Sequence, residues 1–120
     1  MNNDKIESPL LIKSKSFALQ IINLYKKLTN EKKEFVLSKQ VLKSATSIGA
    51  MIREAQFAQS KPDFISKLSI GLKESNETLY WLELLVESNF IEKNDFDLLY
   101  EENTSILKML VSSINTLKSK

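Results

Sequence analysis

Cysteine and histidine are absent from this 120-residue chain, and glycine, proline and tryptophan are scarce, with two, two and one copies. Without cysteine there is no disulfide and no thiolate metal site, which fits a reducing compartment. Without histidine, zinc sites, nucleophile-histidine catalysis and the Glu-x-x-His ligands of di-iron bundles drop out, and carboxylates alone remain as hard-metal ligands. The composition points away from an enzyme and requires no cofactor. The opening Met1-Asn2-Asn3-Asp4-Lys5 has no apolar signal core, and the longest apolar run, Leu79-Tyr80-Trp81-Leu82, is far shorter than a membrane span. A cytoplasmic protein with no membrane association is expected.

What is present is charge and helical periodicity. The net charge is only +2, below the strongly basic balance of a typical nucleic-acid binder, but it is unevenly spread. Residues 1–60 hold ten basic and five acidic side chains, a net +5; residues 61–120 hold seven and ten, a net −3. Among the basic ones, Lys26, Lys27, Lys32, Lys33, Lys39 and Lys43 surround one stretch that breaks the apolar pattern, Thr29-Asn30-Glu31-Lys32-Lys33.

Apolar residues at three- and four-residue steps predict four helices in one domain over residues 1–120. The first, about 10–28, carries Leu10, Phe17, Ile21, Leu24 and Leu28 on one stripe and begins just after Pro9. The second, about 38–59, starts at a Ser38 cap and uses a small-residue seam of Val41, Ala45, Ile48, Ile52 and Ala55. The third, about 62–88, follows a Ser60 cap with Pro62 close behind, and its seam reads Ile65, Leu68, Leu72, Ser75, Leu79, Leu82 and Val86. Asn94 caps the fourth, about 94–118, with Leu99, Ile106, Leu110, Ile114 and Leu117 interrupted by Asn103. No segment alternates like a strand, and short connections make successive helices antiparallel. The predicted fold is all-α, a left-handed up-down-up-down four-helix bundle. The polar seam residues Ser75 and Asn103 are read as register-setting hydrogen-bond partners rather than ligands.

Both glycines, Gly49 and Gly71, fall inside helices and close the matching strings Ser47-Ile48-Gly49 and Ser69-Ile70-Gly71. A mid-helix glycine costs about 1 kcal/mol relative to alanine, so close helix packing is the expected reason for each. A further surplus lies in the third helix, where seven of the eight residues Leu79–Val86 are apolar. Trp81 and Leu84 sit beside the core seam on a strip shared with Glu74 and Glu77. Either the first and fourth helices cover that strip within the monomer, or Tyr80, Trp81 and Leu84 anchor a subunit interface. Attraction between the basic and acidic halves of different copies would give a head-to-tail contact, which can close into a ring.

The stretch Lys43-Ser44-Ala45-Thr46-Ser47-Ile48-Gly49-Ala50-Met51-Ile52-Arg53-Glu54-Ala55, with Asp63–Leu68 and Lys73–Leu82 after it and Lys33–Gln40 before it, resembles the four-helix-bundle proteins called 23S rRNA intervening-sequence proteins. The resemblance covers nearly the whole chain. It implies the bundle fold more than any activity. Proteins with the same bundle include accessory subunits of diversity-generating retroelements, which form pentameric barrels and work with a reverse transcriptase and nucleic acid. The resemblance therefore implies a homo-oligomer, with a pentamer favoured. Met51 departs from the pattern, standing where the family commonly has asparagine.

Two functions compete. In one, the lysine cluster binds RNA or other nucleic acid through phosphate contacts repeated around an oligomer; no aromatic interleaving or reading motif points to sequence-specific recognition. In the other, the ring is a scaffold that docks a partner protein. Glu54, Glu74 and Glu77 bring no nucleophile or histidine partner, so no catalytic residue is assigned.

Overall fold

In a computed structural model the chain folds into four helices, α1 (Asn3–Asn30), α2 (Leu37–Ala55), α3 (Lys61–Glu87) and α4 (Lys93–Lys118), with no strand among the described residues. The structure describes residues 3–119, with side chains for residues 9–119; the first five residues, read above for a signal core, lie outside the described side chains. The molecule measures 46 × 20 × 20 Å. Its length is close to that of α3, about 40 Å for 27 residues at 1.5 Å rise.

Each helix packs antiparallel to the next. Gly49 near the end of α2 lies beside Ser14 near the start of the packed part of α1; Lys67 of early α3 reaches Glu54 of late α2 at 3.7 Å; Tyr100 of early α4 donates to Glu83 of late α3 at 3.1 Å. The cycle closes where α1 meets α4, the least extensive of the four contacts among the described residues. This is the up-down-up-down order expected from short connections.

The predicted stripes of α1 and α2 are buried throughout, from Leu10 to Leu28 and from Val41 to Ala55. In α3 the seam is turned from its expected line. Leu68, Ser75 and Leu82 are buried as predicted, but their partners are Gly71, Thr78 and Leu85, while Ile65, Leu72, Leu79 and Val86 are only half-buried. Two heptad lines share the 68-75-82 positions, and apolarity alone selected the greasier one. The structure selects the one that lets α2 and α4 approach. Gly71 faces α2, and Thr78 Oγ1 lies 2.8 Å from the buried Ser44 hydroxyl.

Ser75 and Asn103 pair with each other, as their seam positions suggested. The Ser75 hydroxyl donates to Asn103 Oδ1 at 2.8 Å and the Asn103 amide donates to the Ser75 carbonyl at 2.9 Å, both residues fully buried. A reciprocal pair satisfies both side chains in only one register of α3 against α4.

Helix ends differ from expectation in four places. α1 runs through Pro9 instead of starting after it, although its buried stripe begins at Leu10. Ser38 does not cap α2: it is buried within the first turn, its hydroxyl donating to the Glu34 carbonyl at 2.8 Å, and α2 tightens into three-residue turns over Gln56–Ala58 instead of continuing to Gln59. Asn94 lies inside α4, whose cap position is Glu92, with no side-chain cap bond. The Ser60 cap is as expected, accepting from the Asp63 amide at 3.1 Å, and the Asp63 carboxylate accepts from Gln59 N–H at 3.1 Å. After α3, Asn89 turns into the left-handed region, and the amides of Asn89 and Phe90 return to the carbonyls of Val86 and Leu85.

Candidate nucleic-acid interface

The α1–α2 connection sits at one end of the bundle. Lys26, Lys27, Lys32, Lys33, Lys39 and Lys43 are all exposed, and no carboxylate lies within ion-pair distance of any of them among the described residues. Lys32 and Lys33 sit on the connection itself, which is short and folded back; Lys27 lines a hollow with Asp95 and Leu98 of α4, and Lys43 lies near enough to α3 to act on the Glu74 carboxyl. Lys33 adopts a left-handed conformation (φ 56°), and the next amide, Glu34 N–H, reaches the Leu28 carbonyl at 2.9 Å.

Glu34 is the structural key to this end, and nothing in the apolar spacing points to it. Its side chain turns inward, 9% exposed, and accepts from the amides of Val36, Leu37 and Ser38 at 3.1, 2.9 and 2.7 Å. These are the unsatisfied N–H groups at the start of α2, where a helix dipole also favours negative charge. Burial alone would push the Glu34 carboxyl up; the three amides and the Ser38 side chain outweigh it and hold the group below its ordinary 4.5. One of the two acidic residues in the connection is thus withdrawn from the surface, and Glu31 is left among the lysines.

The second candidate patch is on α3. Tyr80 is 54% exposed, with its ring 5.2 Å from that of Trp81, while Trp81 and Leu84 are half-buried and Trp81 packs against the core. The Trp81 indole donates to Glu77 at 3.0 Å. Nearby, burial and the Glu77 charge raise the Glu74 carboxyl above its ordinary value, partly offset by Lys43 and Lys73. Burial of Trp81 and Leu84 is partial, so the monomer covers part of this strip.

Gly49 and Gly71 lie at helix contacts. A Cβ on Gly49 would stand 3.3 Å from Ser14 Oγ; one on Gly71 would stand 3.5 Å from Met51 Cβ and 3.7 Å from the Ile48 carbonyl oxygen. Met51, the residue that departs from the resemblance, is therefore the side chain opposite Gly71.

Among the described residues, no group of three or more acidic side chains could hold a metal ion, and no helix is long and apolar enough to cross a membrane. An open groove of about 540 Å³ runs between α1 and α2, floored by Ser14, Ala18, Gly49 and Ala50 and flanked by Lys15 and Arg53. The larger hollow along the outer face of α4 is lined by Thr104, Ser105, Lys108 and Ser112.

The family model for 23S rRNA-intervening sequence proteins matches residues 9–112, from within α1 to within α4. The chain belongs to that family. It is also similar to a crystal structure from Bacteroides thetaiotaomicron, described as a protein of unknown function from the S23 ribosomal protein family. The two share 53% identity with a TM-score of 0.90, over 91% of this chain and 97% of that one. A search of curated proteins found no match.

Proposed function

We propose that this 23S rRNA-intervening sequence protein is a non-enzymatic, cytoplasmic, homo-oligomeric RNA-associated protein that grips phosphates through the lysines of the α1–α2 end. The observation that carries the reading is the state of those side chains: six exposed lysines, none within ion-pair distance of a carboxylate among the described residues although Lys43 acts on Glu74 at longer range, around a connection whose Glu34 is turned inward. Such contacts release counterions, so affinity depends strongly on salt and weakly on sequence. The family's description, which ties it to 23S rRNA, supports RNA as the polyanion. Oligomerisation repeats the patch by symmetry, and the resemblance to the pentameric retroelement subunits favours five copies.

The test is a titration of structured RNA at low and moderate salt. Wild-type affinity is expected to fall steeply with salt. Lys32→Glu with Lys33→Glu is expected to weaken binding and to flatten that dependence by about 0.7–0.9 in log–log slope for each phosphate that is no longer neutralised. Salt-independent or absent binding overturns the reading.

A second reading, a protein scaffold that leaves nucleic acid alone, is favoured by the exposed Tyr80 ring beside Trp81 on an acidic face. Paired aromatics of this kind are common anchors of protein interfaces.

A further inference from the structure

The basic surface does not stop at the α1–α2 end. From Ser8 to Arg53 the chain has nine basic residues and two acidic ones, Glu31 and the inward-turned Glu34. Because α1 and α2 are neighbours, this stretch forms one side of the bundle. Lys39, Lys43, Thr46, Ala50 and Arg53 follow one another along α2 at four- and three-residue steps, a single helix stripe. On α1, Lys15, Leu19, Ile22 and Lys26 do the same. At their far ends both stripes enter the groove where Lys15 and Arg53 flank the small-residue floor. Lys13 and Lys27 are excluded from this surface, since Lys13 pairs with Glu102 of α4 at 3.3 Å and Lys27 lines a hollow on the α4 side with Asp95 and Leu98.

We infer that a single strand of nucleic acid lies along the α1–α2 face, its phosphates following these cations from the lysine-rich end to the Lys15–Arg53 groove. The inference rests on the RNA reading above and extends it from a patch to a track. Three features select a single strand. The trough lies between two helices whose axes are about 8–10 Å apart, a width suited to one backbone. Its floor at Ala18, Gly49 and Ala50 is low enough for that backbone to approach. Exposed aromatic rings stand just before and just after α2, Phe35 at 57% and Phe57 at 80% exposure, where unstacked bases can stack. From Arg53 to the first turn of α2 the track is about 24 Å long at 1.5 Å per residue. That distance matches about seven phosphates of a stacked strand at ~3.4 Å each.

The experiment uses the full chain with end-labelled oligouridylates of about four to about twelve nucleotides, and a duplex RNA of matched length. Affinity for the single strands is expected to climb with length up to about seven nucleotides and then to level apart from the statistical gain. Lys15→Gln with Arg53→Gln, both exposed positions, is expected to keep the wild-type thermal melt and to lower the salt slope by about 1.4. Phe57→Ala is expected to weaken binding about fivefold with the salt slope unchanged. If Lys32→Glu with Lys33→Glu weakens binding but the groove pair leaves slope and affinity alone, the track is wrong and the end patch stands. If neither pair matters, the RNA reading falls with it. Duplex bound as tightly as single strand overturns the choice of strand.

Discussion

Gly49 and Gly71 differ in how much the missing side chain matters. Neither glycine has a positive φ, so backbone freedom is not what selects them; what differs is the room left for a methyl group. A Cβ at Gly71 meets its neighbours at 3.5–4.0 Å, ordinary van der Waals contact, whereas at Gly49 it would press on the Ser14 hydroxyl at 3.3 Å. Gly71→Ala is therefore expected to be tolerated, and to gain up to about 1 kcal/mol from helix propensity. Gly71→Leu has no such space against Met51 and Leu110 and should lose about 1–3 kcal/mol or more by overpacking. Urea denaturation of the two variants separates them; equal stability would mean that α2 and α3 do not need this close approach. The sequence suggested packing at this position. The room for one methyl and no more depends on Met51 and the Ile48 carbonyl across the helix contact, which spacing along one chain segment does not specify.

Among the elements, the start of α2 depends most on one group. The Glu34 carboxylate satisfies three backbone amides at once, and its folded pKa lies below 4.5. A depressed carboxyl pKa adds stability above the unfolded value, and that stability is lost as pH falls through the folded one. Stability should therefore decline below about pH 4.5, and Glu34→Gln should flatten that acid limb. Glu34→Ala should cost about 0.5–2 kcal/mol at neutral pH, the range of a lost helix cap. Thermal melts from acid to neutral pH check both. The sequence placed the core faces of α1 and α2 correctly, since apolar spacing records burial directly. It put the α2 cap on Ser38, because serine is a common cap and Glu34 lies far enough upstream to look like loop. Only the left-handed turn at Lys33 brings that carboxylate back over the helix. The same limit explains α3: two overlapping heptad lines were available, and a glycine and a threonine on the buried one carried less apolar weight than Leu72 and Leu79.

At the scale of the whole molecule, charge is divided between two sides. The α1–α2 side is basic, and the later helices carry the acidic excess together with the Tyr80, Trp81 and Leu84 patch. Light scattering at micromolar concentration is expected to give a mass of several chains, and Tyr80→Glu, at a 54% exposed position, should reduce it while leaving helix content in place. A monomeric wild type would remove assembly from the proposed function. Raising salt separates the two forces: an aromatic contact persists, while an association between the basic and acidic sides weakens.

The closing contact between α1 and α4 has one more effect. It joins the first helix to the last across the least extensive seam, with Lys13 and Glu102 as its ion pair. A bundle held this way is expected to open along that seam first, and amide hydrogen exchange faster on the α4-facing side of α1 than within the α2–α3 hairpin would show it. The α2–α3 hairpin, with the broadest contact among the described residues and the Ser44–Thr78 hydroxyl pair inside it, is expected to stay protected longest.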